Sequence, residues 1–188
     1  MKTILPFDEL NVLKRDIGER FARGLRKQDE EDIIDELFDL LLLAYAMGDT
    51  VTLERLGVKL PTSQEPTMYD VLKVVNEKVA DKTWRDRVEE YFANGGTGDD
   101  IIRIAETEMH RVANESALET AKKAGAKTKT WVTMMDDRVR DTHSPLEGVT
   151  IPIDADFITW DDDYAQAPGM FMLPQNNVNC RCELTFSR

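Results

Sequence analysis

The sequence predicts an α+β protein, in which a mainly helical N-terminal region carries a small antiparallel, β-containing C-terminal module. Two observations lead there. Apolar residues recur at spacings of three and four as far as Lys123, and beyond Gly125 the period shortens to that of strands broken by Asp, Pro and Gly. The residue types able to carry chemistry are also gathered late. Both cysteines, His143 and two of the three tryptophans follow Lys129. The division expected is a helical region over 1–98, then a module over 99–188 made of a long helix and a loop-rich β part.

Each element has its own local reason. A first helix starts near Asp8, an acceptable N-cap, with Leu10, Leu13, Ile17, Phe21 and Leu25 on one face. A second is expected from Glu30 to Met47 with Gly48 as its C-cap. Leu37, Phe38 and the run from Leu40 leave it little polar face, so it is expected to be the most buried helix. After a loop holding Pro61 and Pro66, helical spacing resumes with Met68, Val71, Leu72, Val75 and Val79. A shorter helix carries Trp84, Val88, Tyr91 and Phe92 and stops at Asn94-Gly95-Gly96. Thr97 or Asp99 caps a long helix with Ile101, Ile104, Ala105, Met109, Val112 and Leu118, closed by Gly125. Strands are expected over 131–135, over 149–153 at an edge because of Pro152, and over 171–173 and 182–186, with the rest of 157–174 as loop.

Composition narrows the function classes. The 188 residues are 41% apolar and 32% charged, with a formal net charge of -12, as in a soluble globular protein. Phosphate binding needs a basic face, so nonspecific grip of duplex DNA by the whole surface is excluded. Arg23, Arg26 and Lys27 form the local basic patch at which a DNA contact is expected, if anywhere. No apolar stretch follows Met1-Lys2-Thr3 in the manner of a secretory signal. The longest apolar run, over 40–47, falls well short of the roughly 20 residues that span a bilayer, so no membrane contact is expected. Two cysteines in a CxC arrangement are not a secreted disulfide framework, which favours a reducing interior.

His143, Cys180 and Cys182 are three zinc-type ligands, whereas a structural zinc takes four; the fourth would come from Asp137, Asp141 or water. The alternative is two cysteines packed as small apolar groups and a histidine anchoring a turn. A Cys–His nucleophile pair is a further option, although no elbow or helix N-terminus follows either cysteine. The carboxylates Glu106, Asp136 and Asp137 and the run Asp161-Asp162-Asp163 are expected to be solvated loop or helix charges. Glu108 has Arg103 or Arg111 as partner at helical spacing. Thr107, Glu108 and Asn114 are expected to hold the loops of the C-terminal module by hydrogen bonds. Trp131 and Trp160 are both expected in the core.

The order of these residues matters more than any one of them. Ile104-Ala105-Glu106-Thr107-Glu108, Asn114, Lys129-x-Trp131, Asp137-x-x-Arg140, His143, Gly148, Phe157, Pro174 and Asn179-Cys180-Arg181-Cys182 together resemble the phage head morphogenesis family, minor head proteins similar to the F protein of phage Mu. The resemblance covers about 99–186. It implies a structural role with no catalysis: a low-copy component of the phage or prophage procapsid, in the virion head, with host cytoplasm as the site of assembly. The partners it implies are the portal protein and other head proteins. The signature residues it marks as structural are Thr107, Glu108, Asn114, Trp131, Asp137, Arg140, Gly148, Asn179 and Arg181. Some members carry a CxxC where this chain has Arg140 and His143, and a histidine where it has Gln175 or Asn176. This chain retains three ligands, so the resemblance implies a tail held mainly by hydrogen bonds with no required cofactor, zinc being the metal to test for. Some members continue into toxin or transferase domains; with the chain ending two residues after Phe186, none is expected here. The rival reading is a metal- or cysteine-dependent enzyme built on His143, Cys180 and Cys182, or a zinc-stabilised binding module.

Overall fold

The computed structural model describes Glu19, Arg23 and residues 27–188. The first expected helix, with Leu10, Leu13, Ile17, Phe21 and Leu25, lies outside the described residues, as do Arg26 and the side chain of Lys27 from the basic patch.

Helix α1, Lys27–Leu56, is longer than expected because it runs straight through Gly48. That glycine is a crossing point instead of a cap. A Cβ there would stand 2.2 Å from the carbonyl oxygen of Ala113, so only glycine lets the two helix backbones meet. Helices α2, Met68–Val75, and α3, Trp84–Ala93, follow, and α4, Gly98–Lys123, crosses α1. All three start on the same device. Asp70, Asp86 and Asp100 accept from the backbone N–H of Thr67, Thr83 and Thr97 at 2.8, 2.7 and 2.9 Å. Helix α2 stops at Asn76, and Val79 lies beyond it in a bridge with Lys82.

The helical core joins Leu37, Leu40 and Leu41 of α1 to Val75, Trp84, Val88, Ile101 and Val112. Its most buried member is α4, not α1. Helix α1 turns one side to solvent, with Leu43 half exposed, whereas α4 has the helical core on one side and the C-terminal module on the other. Two polar contacts tie the crossing: Ser116 Oγ donates to Tyr45 O at 2.8 Å, and Thr120 donates to Asp49.

The module is a three-stranded antiparallel sheet in the order β2-β1-β5 with a separate hairpin. Its strands are β1 Thr128–Val132, β2 Thr150–Pro152 and β5 Glu183–Ser187. The hairpin is β3 Phe157–Ile158 with β4 Tyr164–Ala165, and a single turn of helix, α5 Pro174–Asn177, precedes β5. Strand β1 lies earlier than expected. Its continuation leaves the sheet where Thr133 donates its N–H and hydroxyl to Glu147 at 2.6 and 2.7 Å. Strand β2 is an edge, with Pro152 opposite Thr128. Residues 171–173 form no strand, because their N–H groups are taken by side chains: Phe171 by Asn177, and Met172 and Leu173 by Asp163. The hairpin instead falls in a stretch expected to be loop. Trp131 is fully buried, but Trp160, at the hairpin tip, is 69% exposed, which overturns its assignment to the core. Among the described residues no helix is long and apolar enough to cross a membrane.

Candidate functional site

Residues far apart in sequence are brought to one point beside Trp131. The loop after β1 leaves and returns on this tryptophan: Trp131 N donates to Val149 O at 3.0 Å and Gly148 N donates to Trp131 O at 2.9 Å. Gly148 has φ +73, a conformation that favours glycine. Inside the loop, His143 N and Ser144 N donate to Arg140 O at 3.0 and 2.8 Å, which aims the imidazole inward. The cysteines arrive from the other end. Cys180 N donates to Asn177 O at 3.0 Å, and Asn179 takes the left-handed turn between α5 and the sheet at φ 58. Three polar contacts then fix this segment. Asn179 N donates to Thr107 Oγ1 at 3.2 Å, Asn114 Nδ2 donates to Cys182 O at 3.1 Å, and Arg140 donates to Val178 O.

His143 Nδ1 lies 3.7 Å from Cys180 Sγ and 3.5 Å from Cys182 Sγ. All three side chains are buried, at 1%, 2% and 4% exposure, and both thiols are free. The His143 ring packs edge-on to Trp131 at 5.3 Å and against Phe171 at 5.5 Å. The hydrogen bond from Cys182 holds the Cys180 thiol well below its ordinary value; burial opposes this and His143 adds to it. Cys182 moves up, through that same hydrogen bond and through burial. Arg181, between them, points away and clasps Asp136 through two bonds of 2.9 and 2.8 Å. That clasp holds the Asp136 carboxyl down to about 2. Asp137, the carboxylate the sequence marked, is exposed; its neighbour makes the contact.

What this arrangement can do chemically follows from its size. Nitrogen and sulfur ligands of a tetrahedral zinc stand about 3.6 Å apart, given bond lengths of about 2.0–2.1 and 2.3 Å, so the two observed separations suit that ion. The cluster offers three donors among the described residues, and the gap beside it measures about 10 Å³, room for one water as the fourth. The same gap is far too small for a substrate. The Cys–His juxtaposition needed for a nucleophile therefore exists, with all three side chains buried.

Two further polar sites are built on buried charges. Asp163, expected to be a solvated member of an acidic run, is 4% exposed and accepts four hydrogen bonds, each of 3.0 Å, from Tyr164 N, Met172 N, Leu173 N and Asn176 Nδ2. On α4, Arg111 is 1% exposed and bonds Glu108 and Glu115, each at 2.8 Å, while donating to Val74 O and Val75 O at the end of α2. Glu108 also takes Arg87 at 2.6 Å; Arg103 instead binds Asp100 and Tyr91. Sequence reading missed Asp163, Asn176, Asn177 and Arg87. For Arg111 a signal was available: acids at i−3 and i+4 on an apolar helix face mark a buried cation. A cleft of about 420 Å³ opens between α3, α4 and α5, but its inner charges, Arg87 and Glu108, neutralise each other.

The family described as Phage Mu protein F like protein matches residues 76–185, which include the histidine–cysteine cluster and every contact to it named above. Two curated relatives each align over 85 residues. The NAD(+)--arginine ADP-ribosyltransferase EFV of Enterococcus faecalis (strain ATCC 700802 / V583) is 36% identical, across 43% of this chain and 17% of that protein. The Minor head protein GP7 of Bacillus phage SPP1 is 33% identical, across 44% of this chain and 28% of that protein. The match thus spans less than a third of the length of either relative. No solved structure matches significantly.

Proposed function

From the premise that this chain belongs to the phage Mu protein F like family, we propose that it is a structural minor head protein of a phage or prophage, acting in head morphogenesis. It is present at low copy in the virion head, assembles there from the host cytoplasm, and contacts the portal and other head proteins on the capsid interior. The observation that carries this reading is the family match over 76–185, more than half of the chain. The formal charge of -12 favours protein partners over duplex DNA and leaves DNA only the basic patch around Arg23, Arg26 and Lys27.

The same reading makes the chain no enzyme. The transferase activity in the name of the Enterococcus relative belongs to a protein of which the match covers 17%. His143, Cys180 and Cys182 are buried, and the gap beside them, of about 10 Å³, has no room for a substrate. His143, Cys180 and Cys182 act as a pin that fixes the last strand to the Trp131 loop. The pin holds by hydrogen bonding and packing, and a zinc ion is not required for it.

Quantitative mass spectrometry of purified heads tests the role. The chain is expected at a few copies per head, and deletion of its reading frame is expected to give misassembled heads or heads that fail to deliver DNA. Infectious heads of normal yield from the deletion would contradict it.

A further inference from the structure

The β3–β4 hairpin has apolar side chains on both faces. Cross-strand partners Phe157 and Ala165 face the core at 1% and 4% exposure. Ile158 and Tyr164, the next pair, face outward at 64% and 59%. An outward face of a two-stranded ribbon is ordinarily polar, because alternation puts the solvent side in water. Here Trp160 at the tip, 69% exposed, extends that face, and Met172, 52% exposed, is held beside it because Asp163 bonds both Tyr164 N and Met172 N. The tip is also fixed in shape. Thr159 N and its hydroxyl both donate to Asp163 O, at 2.9 and 3.0 Å, and Asn176 reaches Asp161 and Asp163. A rigid aromatic anchor loses little entropy on binding, which is how Trp and Tyr come to dominate interface energetics.

The charge around the face selects what covers it. No lysine or arginine lies between Arg140 and Arg181; Lys122 of α4 pairs with Asp154 at 3.4 Å, which leaves Asp156 and Asp162 as the exposed acids beside the hairpin. Two such faces repel each other, and nucleic acid is repelled by either. We propose that this face docks into another head protein through an apolar cavity rimmed by lysine or arginine, with Trp160 as the inserted anchor. The partner class rests on the head-protein reading above; the face itself is defined by exposure and charge.

The test uses the purified full chain and, as probe, the purified portal protein from the same genome. Trp84 and Trp131 are buried at 1% and 0% exposure, so Trp160 is the accessible fluorophore. Saturable binding is expected, with blue-shifted emission and protection from acrylamide quenching, and with affinity falling as salt rises. Trp160→Ala is expected to weaken binding about tenfold or more with an unchanged melting temperature. Asp156→Lys is expected to weaken binding and flatten the salt dependence. Met68→Ser with Tyr69→Ser, on the exposed face of α2, is expected to leave it unchanged. Equal binding by Trp160→Ala and wild type overturns the docking face while sparing the head-protein reading. Failure of wild type to bind the portal overturns the proposal, and the head-protein reading falls with it only if the chain is also absent from purified heads. Concentration-dependent self-association abolished by Trp160→Ala overturns the proposal in favour of a second copy.

Discussion

The two cores of this chain are built on different principles. The helical core is mainly aliphatic and periodic: Leu37, Leu40, Leu41, Val88, Ile101 and Val112 recur at helical spacing and interlock wherever helices cross, with Trp84 packed among them. The core of the C-terminal module is aromatic and sulfur-rich, with Trp131, Phe157, Phe171, Cys180 and Cys182 converging from short strands and loops. Too little regular structure exists there to pair the backbone, so side chains do it: Asp163 caps the 171–173 loop, Asn177 brackets Phe171, and Asn114 and Thr107 hold the final segment. The difference teaches where each core is fragile. A helical core loses stability by volume, residue by residue, whereas the module loses it by single polar atoms that many backbone groups share.

Arg111, which ties α4 to the end of α2, carries the largest expected effect. Arg111→Met fills similar volume but leaves Glu108 and Glu115 without their shared cation and two α2 carbonyls without a donor. Removing one partner from a buried ionic cluster costs about 3–5 kcal/mol, measurable by denaturant unfolding; a loss below about 1 kcal/mol would show the network to be ornamental. Trp131→Ala is expected to cost about the same, roughly 3–5 kcal/mol, but to erase the near-ultraviolet signature of the module first. Simultaneous loss of helical signal would instead join the two cores into one cooperative unit. Asp163→Asn replaces an acceptor of four bonds with a group that accepts through one oxygen, and is expected to cost about 1–3 kcal/mol, with faster amide exchange at Met172 and Leu173. Exchange at wild-type rates would remove Asp163 from the account.

The smallest effect depends on pH. Burial pushes Glu115 up to about 7 from 4.5, with Glu77 and Glu119 adding and Arg111 opposing. Between those two values the folded chain keeps a proton that the unfolded chain has released, so stability falls as pH rises through that window. Glu115→Gln cannot titrate, and its melting temperature is expected to drop less than that of wild type between pH 5 and 7.5. Parallel curves would place the titration elsewhere.

How much of this was legible in the sequence follows the same division. Of the two caps read for α4, Thr97 or Asp99, the structure takes Thr97, and Gly125 follows its end as read, because caps are local chemistry. Gly48 was misread because its use, a close approach to Ala113, lies in another helix. Trp131 and Trp160 are alike in one dimension, and only the tight turn around Asp162, at φ 58, sends the second outward. Residues 171–173 have the composition of a strand, yet their donors go to Asp163 and Asn177, which no pattern announces. The His143, Cys180 and Cys182 positions were visible as chemistry. Their burial stood there as one alternative among three, because which side chains the long-range fold covers is not local chemistry.

Thermal unfolding of His143→Ala and Cys180→Ser, followed with and without EDTA beside a zinc assay of wild type, tests most directly whether that cluster is a structural pin. Both variants are expected to melt several degrees lower, consistent with about 1–3 kcal/mol of lost packing and hydrogen bonding, with wild type indifferent to EDTA. Unchanged melting of both variants would contradict the pin, and a full equivalent of zinc whose removal unfolds the wild-type module would make the cluster a metal centre.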